Sequence, residues 1–150
     1  MGTISENFSY REFEASETAK ARGIVNVITT FEVRGAITEL VRKVLQPLRT
    51  KWDQPLRVNS GYRCPKLNEA VGGAPTSQHV KGEAADIDAP HPIKLAQAAY
   101  DDLAIWNEVD QMIIYPTFVH FSHRRWGPQR HQLLYNKSYK GARVRLTRSK

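Results

Sequence analysis

Apolar residues recur at intervals of three and four between residues 30 and 52, which is the period of a helix with one buried face. This stretch is the longest regular pattern in the chain, and it predicts the helix that forms the core. Pro47 falls inside it and is expected to kink or end the helix, because proline has no backbone N–H to donate. The apolar positions are Val33, Ile37, Leu40, Val41, Val44, Leu45 and Leu48.

Shorter patterns predict the remaining elements. Ser9 and Glu12 have the spacing of a capping box and open a short helix. Further helices are predicted at residues 65 to 71 and 90 to 103, and a loop at residues 76 to 82. Strands are predicted at residues 56 to 60, 84 to 88, 111 to 115, 118 to 122 and 131 to 135. This mixture predicts one α+β domain over residues 1 to 150, with a small, largely antiparallel sheet and packed helices.

Side-chain alternation along the predicted strands assigns a face to each candidate polar residue. In the strand at residues 84 to 88, Ile87 points into the core and Asp86 points to the other face. A two-residue turn at positions 116 and 117 pairs Ile113 with His120 and places Tyr115 on the same face as His120. Asp86 is therefore expected to point into a site, and His120 is expected to share its face with Ile113 and Tyr115.

Positive charge is concentrated at the C-terminal end of the chain. The formal net charge is +7, yet no Asp or Glu follows Asp110. This basic end, about residues 124 to 150, favours an anionic partner such as a cell-wall polymer, a nucleic acid or a membrane surface. A solvated tail that aids solubility is the alternative. Its cations are Arg124, Arg125, Arg130, Lys137, Lys140, Arg143, Arg145, Arg148 and Lys150.

Composition excludes several classes of protein. Cys64 is the single cysteine, so an intrachain disulfide and a multi-cysteine metal site are excluded; a small packed residue is the favoured role, ahead of a nucleophile. No apolar run reaches the roughly 20 residues of a membrane span. The first residues lack the pattern of a secretory signal. We therefore expect synthesis in the cytoplasm.

Three residues carry the candidate chemistry. His79 and Asp86 lie seven positions apart, and His120 lies in the later strand. Two imidazoles and one carboxylate suit Zn²⁺ and leave a fourth position open. Taken singly, His79 is better explained as a loop residue and Asp86 as a turn or cap carboxylate, and only the full ordered set favours a zinc site.

Four ordered motifs carry a family resemblance. They are Ser60-Gly61-Tyr62-Arg63, the pattern SxHxxGxAxD over residues 77 to 86, DQMI at residues 110 to 113, and FVHFS at residues 118 to 122. In this order they resemble the M15 zinc peptidases, which include D-alanyl-D-alanine carboxypeptidases and L-alanyl-D-glutamate endopeptidases. The resemblance implies a fold of the hedgehog/DD-peptidase type, Zn²⁺ ligands at His79, Asp86 and His120, and Arg63 holding a substrate carboxylate or an oxyanion. It also places Ser77 beside the substrate.

The sequence departs from the family at the general base. Family members commonly carry a Glu shortly before the third ligand, where this chain has Tyr115 and Thr117. Threonine is not a base, and a tyrosine has an ordinary pKa of about 10. We expect Tyr115 to assist an oxyanion or orient water. The base is left open among Glu83, Asp88 and Glu108.

The favoured function is zinc-dependent hydrolysis of peptidoglycan stem peptides, by an endopeptidase or a D,D-carboxypeptidase. Without a signal sequence, such an enzyme is expected to reach the cell wall by a phage- or prophage-type route, like an endolysin. One alternative is a catalytically impaired, zinc-containing module that binds peptidoglycan. A nucleic-acid binder, suggested by the basic end alone, is the least favoured.

Overall fold

The structure, a computed structural model, describes residues 2–148 of the 150 in the chain. Its helices are α1 Tyr10–Glu14, α2 Glu17–Arg22, α3 Phe31–Leu40, a π-helical segment Val41–Leu45, α4 Gln46–Trp52, α5 Pro65–Ala70, α6 Pro92–Asp101 and α7 Leu103–Trp106. Its strands are β1 Thr3–Ser5, β2 Phe8–Ser9, β3 Val58–Ser60, β4 Ala84–Asp88, β5 Gln111–Ile114, β6 Phe118–Ser122 and β7 Gln132–Tyr135. This confirms the α+β class predicted from the sequence.

The predicted long helix forms, but it does not end at Pro47. The helix passes from α3 through the π-helical segment into α4 without a break. In the π-helical segment the Gln46 N–H bonds to the Val41 carbonyl five residues earlier, directly before the proline. A wider turn at this point accommodates a residue that lacks an N–H and crowds the preceding turn.

Five strands form the main sheet in the order β3-β4-β6-β5-β7. All neighbours are antiparallel except β5 and β7, which run parallel. The predicted hairpin register is confirmed, since Ile113 pairs with His120 and Gln111 with Ser122. A second pairing joins Asp86 on β4 to His120 on β6, so the central strands bring the two candidate ligands side by side.

The core lies between one face of this sheet and the helices. Ile87 points into it and is fully buried, whereas Asp86 points to the other face, as the alternation predicted. The fully buried apolar residues of the helix at residues 31 to 52 are Ile37, Leu40, Val41, Val44, Leu45 and Leu48. Five of these positions lie within nine residues, between 37 and 45, so this part of the helix is fixed by burial in the core.

Two helices replace the one predicted at residues 90 to 103. Helix α6 ends at Asp101, and Asp102 then caps the single turn α7 by accepting a hydrogen bond from the Ala104 N–H at 3.0 Å. The continuous apolar pattern conceals this boundary, since both helices bury the same kind of residue.

The segment after β7 packs against the domain instead of extending as a free tail. Leu146 is buried in the core. Arg148 lies 3.8 Å from the centre of the Tyr100 ring and donates to the Tyr100 carbonyl at 2.7 Å. Within the described residues, no helix combines the length and apolar character needed to cross a membrane.

Candidate metal centre and substrate cleft

The loop before β4 places His79 beside the two ligand candidates of the sheet. The His79 Nδ1–H donates to the Gly61 carbonyl at 2.7 Å, which directs Nε2 towards Asp86. Gly82 closes this loop with a φ of +77°, and a Cβ there would lie 2.7 Å from the Val33 carbonyl oxygen. The loop is therefore fixed both by its hydrogen bond and by a close approach to α3.

His79, Asp86 and His120 converge on one point. His79 Nε2 lies 3.4 Å and His120 Nδ1 lies 2.9 Å from the same oxygen of Asp86, Oδ1. All three side chains are buried, and their candidate ligand atoms lie within 4.8 Å of one another. The structure thus brings together the three residues that the motifs single out.

The electrostatics of this cluster suit a divalent cation. Burial raises the pKa of Asp86, but the hydrogen bonds and charges of His120 and His79 outweigh burial and hold the pKa well below its usual range. Asp86 is therefore an anionic oxygen ligand beside two nitrogen ligands. Two imidazoles and a carboxylate are a donor set that Zn²⁺ prefers, and three protein ligands is the number typical of a catalytic zinc site.

Arg63 lies beside the cluster and is held from several sides. Its Nη2 is 3.8 Å from Asp86 Oδ2, its Nε donates to Ser60 Oγ at 3.3 Å, and its Nη1 donates to Asn68 Oδ1 at 3.2 Å. The side chain is 17% exposed. A guanidinium fixed in this way offers preoriented donors to a carboxylate or an oxyanion.

Two cavities meet at this arginine. One, of about 410 Å³, is lined by the three cluster residues together with Arg63, Tyr115 and the loop that contains Ser77. The other, of about 340 Å³, extends from Arg63 and Asp86 towards the start of α2 and β3. Arg63 and Asp86 thus border both cavities, one on the side of the cluster and one on the side of α2 and β3.

Tyr115 reaches the larger cavity, as the hairpin register predicted. Its ring stacks on Phe118 with centroids 4.1 Å apart. Burial and the charge of Asp86 raise its pKa, against the opposing effects of Arg63 and Asn136. Tyr115 is therefore a protonated O–H donor near neutral pH and does not supply a base.

None of the carboxylates left open as a general base lines the larger cavity. Glu83 accepts hydrogen bonds from Gln78 and from the Arg125 N–H, Asp88 pairs with Arg57, and Glu108 lies 3.8 Å from His123. Among the described residues around that cavity, Asp86 is the one carboxylate. The role of base stays unassigned.

Ser77 and Cys64 have local structural partners. Ser77 Oγ accepts a hydrogen bond from the His79 N–H at 3.2 Å, so it shapes the loop that carries the ligand candidate while lining the cavity. Cys64 caps α5, where its Sγ accepts from the Leu67 N–H at 3.4 Å. The contact of Ser77 with substrate stays a prediction.

Sequence reasoning missed a polar network at the rim of the cavity. Asp110, named in the sequence only as part of the DQMI motif, is fully buried and bonded to Arg130 and to Gln78, the residue before His79. Arg130 itself lines the larger cavity. The available signal was an acidic residue directly before a buried strand, but its partners come from distant parts of the chain.

Comparison with known proteins places these features in a family. The family model for peptidase M15 matches residues 6–122. A curated relative, the zinc D-Ala-D-Ala carboxypeptidase of Streptomyces albus G, is 34% identical over 95 residues. The aligned part covers 62% of this chain and 36% of the relative, so the chain spans just over a third of that protein's length.

Proposed function

Since the chain belongs to the peptidase M15 family, we propose that it is a zinc-dependent peptidase that hydrolyses peptide bonds in peptidoglycan stem peptides. Membership confirms the family predicted from the four ordered motifs. One observation carries the proposal: a buried His–Asp–His cluster opens into a cavity that also contains a fixed arginine.

Each cluster residue has a defined part in this proposal. His79, Asp86 and His120 hold Zn²⁺, and the Gly61 carbonyl keeps the His79 ring oriented. When bound, Zn²⁺ supplies Lewis acidity that polarises a carbonyl and lowers the pKa of water to about 7. Asp86 lies on β4 between its antiparallel neighbours β3 and β6, and this backbone pairing fixes its position.

The remaining cavity residues bind and polarise the substrate. Arg63 binds a carboxylate or the carbonyl oxygen of the scissile bond through its guanidinium, and Tyr115 donates its O–H to the negative charge that develops on that oxygen. Neither residue removes a proton from water. The group that accepts the proton is unassigned, because Asp86 is the one carboxylate among the described residues that line this cavity.

The shape of the cleft bears on which bond is cut. A carboxypeptidase needs space for one terminal residue beyond the scissile bond, whereas an endopeptidase needs space for a chain on both sides. The two cavities that meet at Arg63 and Asp86 favour cleavage within the peptide. Removal of a terminal D-alanine, the activity in the name of the Streptomyces relative, is the second possibility.

A non-catalytic module is the second candidate function. It is favoured by the lack of any carboxylate other than Asp86 among the described residues that line the larger cavity. Such a module binds zinc and peptidoglycan but releases no new amino groups. The two candidates therefore differ in product formation and not in metal content.

The basic C-terminal part supports attraction to the wall. Residues 111 to 150 contain nine arginines and lysines and no Asp or Glu, and anionic wall polymers are attracted by such a charge distribution. Binding to purified wall should weaken with added salt. If DNA of the same charge density bound the protein as strongly as purified wall does, the nucleic-acid alternative would be supported instead.

Substitution of a ligand tests the proposal. We expect His79→Ala to lose zinc and to abolish lysis of purified wall, because one of three protein ligands is removed. His91→Ala is the matched control, since His91 is exposed and lies outside both cavities. Lysis by zinc-free His79→Ala at the rate of the control would contradict the proposal.

A further inference from the structure

The larger cavity has a second arginine that the family match does not include. Arg130 lines this cavity together with Arg63 and the three cluster residues. It follows Gly127 in a segment that lies beyond residues 6–122. The chain thus adds a cationic group to the site from a part outside the matched region.

A buried carboxylate fixes the position of Arg130. Asp110 accepts from the Arg130 backbone N–H at 2.8 Å, from Nη2 at 2.8 Å and from Nε at 3.2 Å. Burial raises the pKa of Asp110, but the bonds and charge of Arg130, with the charge of Arg124, hold it below the usual range. Asp110 is therefore ionised at neutral pH and anchors the guanidinium.

Binding to Asp110 leaves one nitrogen of the Arg130 guanidinium, and a net positive charge, available to a ligand. Asp110 engages Nε and Nη2, whereas Nη1 has no hydrogen-bond partner within the described part of the chain. Arg124 Nε also lies 3.4 Å from Asp110 Oδ1, so two guanidiniums share one carboxylate and the trio keeps a net positive charge. Among the described residues that line the cavity, Asp86 is the one that carries negative charge, and it belongs to the metal cluster.

We propose that Arg130 is a specificity residue that binds a second carboxylate of the substrate, separate from the group bound by Arg63. The inference rests on the proposed peptidase function and names its substrate class: a peptide with a free carboxylate close to the scissile bond. An acidic side chain, or the α-carboxylate of a γ-linked glutamate, provides such a group. The preoriented guanidinium binds it by a charge-assisted hydrogen bond.

A pair of synthetic stem peptides tests the inference. The two peptides differ only in this carboxylate, which is free in one and amidated in the other, and kcat/KM is measured for both. Wild type is expected to prefer the free carboxylate by about tenfold or more, the usual effect of a hydrogen bond to a charged group. Arg130→Gln is expected to reduce this preference to near unity, mainly through a higher KM for the free acid.

Arg124→Gln is the matched control. Arg124 and Arg130 both contact Asp110 and have the same side-chain exposure of 37%, but Arg124 does not line the cavity. Both substitutions remove one cationic partner of Asp110, and Arg124→Gln is expected to keep the preference for the free acid. Arg130→Lys keeps the charge without the planar fork and is expected to retain part of the preference.

The outcomes separate this inference from the proposed function. If Arg130→Gln prefers the free acid as strongly as wild type does, the inference is wrong although the peptidase function stands. If wild type hydrolyses neither peptide, the peptidase function is wrong, and calorimetric binding of the same two peptides to wild type and Arg130→Lys tests the inference. If Arg130→Gln does not fold, the comparison of Arg130→Lys with wild type decides the inference instead.

Discussion

Gly73 borders the site. A methyl group at this position is expected to displace Asn68, whose side chain holds Arg63 by a hydrogen bond. A Cβ built on Gly73 lies 2.1 Å from Asn68 Oδ1 and 3.1 Å from Arg63 Nη1. Ordinary contact begins near 3.4 Å, so the Asn68 oxygen must retreat from a position in which it accepts the Arg63 hydrogen bond at 3.2 Å. Gly73→Ala therefore breaks that bond.

Asn68 has little room to retreat. It is 3% exposed, and its amide donates to the Ala74 carbonyl at 2.8 Å. We expect Gly73→Ala to lower the free energy of unfolding by about 1–3 kcal/mol through overpacking. Since a hydrogen bond to a charged group contributes about 1.5–3 kcal/mol, kcat/KM should fall by about tenfold or more when Arg63 loses this support.

The assay combines urea unfolding with hydrolysis of a stem peptide. Gly35→Ala is the matched control, because its Cβ also meets an arginine, 1.8 Å from Arg125 Nη1, on a helix away from the cavity. We expect the control to keep its kcat/KM. A Gly73→Ala enzyme with wild-type kcat/KM, whatever its stability, would refute the argument that Asn68 positions Arg63.

Three further predictions concern other parts of the molecule. Tyr115→Phe keeps the stack on Phe118 but loses the O–H donor, so kcat should fall by about tenfold or more with little change in KM; an unchanged kcat would remove Tyr115 from the mechanism. Asp110→Asn should destabilise the fold at pH 7 by about 1–3 kcal/mol in urea unfolding. Because the pKa of Asp110 is depressed in the folded state, this contribution is present above the unfolded pKa of about 3.9 and is lost as the pH falls through the folded value, so wild type and variant should converge in acid. Ile87→Ala, at a fully buried position between Asp86 and Asp88, should cost about 2–5 kcal/mol, and a cost below 1 kcal/mol would show that this strand is not packed as described.

Local rules were sufficient for the hairpin formed by β5 and β6. A two-residue link at positions 116 and 117 fixes which residues of β5 and β6 face each other, and a period of two fixes their faces. The opposite orientations of Asp86 and Ile87 follow from the same period. The sequence therefore predicted the face of each ligand candidate within its own strand, whereas the pairing of β4 with β6 that brings Asp86 beside His120 was not predicted.

Long-range contacts account for what the sequence did not predict. The position of Arg130 depends on Asp110, 20 residues earlier, and on the parallel pairing of β7 with β5. Arg63 is held by Ser60, which belongs to its own motif, and by Asn68, which belongs to none of the four motifs and was therefore not predicted. Continuation of the helix through Pro47 likewise depends on a π turn that no residue pattern announces.

The central claim, a zinc-dependent peptidase, is tested most directly by release of free amino groups from purified peptidoglycan. The measurement uses wild-type protein of known zinc content, before chelation, after chelation and after Zn²⁺ is restored. We predict release that chelation abolishes and Zn²⁺ restores, because His79, Asp86 and His120 converge as a ligand set. Absence of release from zinc-loaded protein would contradict the claim and support a binding module, and release that persists without metal would contradict the zinc mechanism.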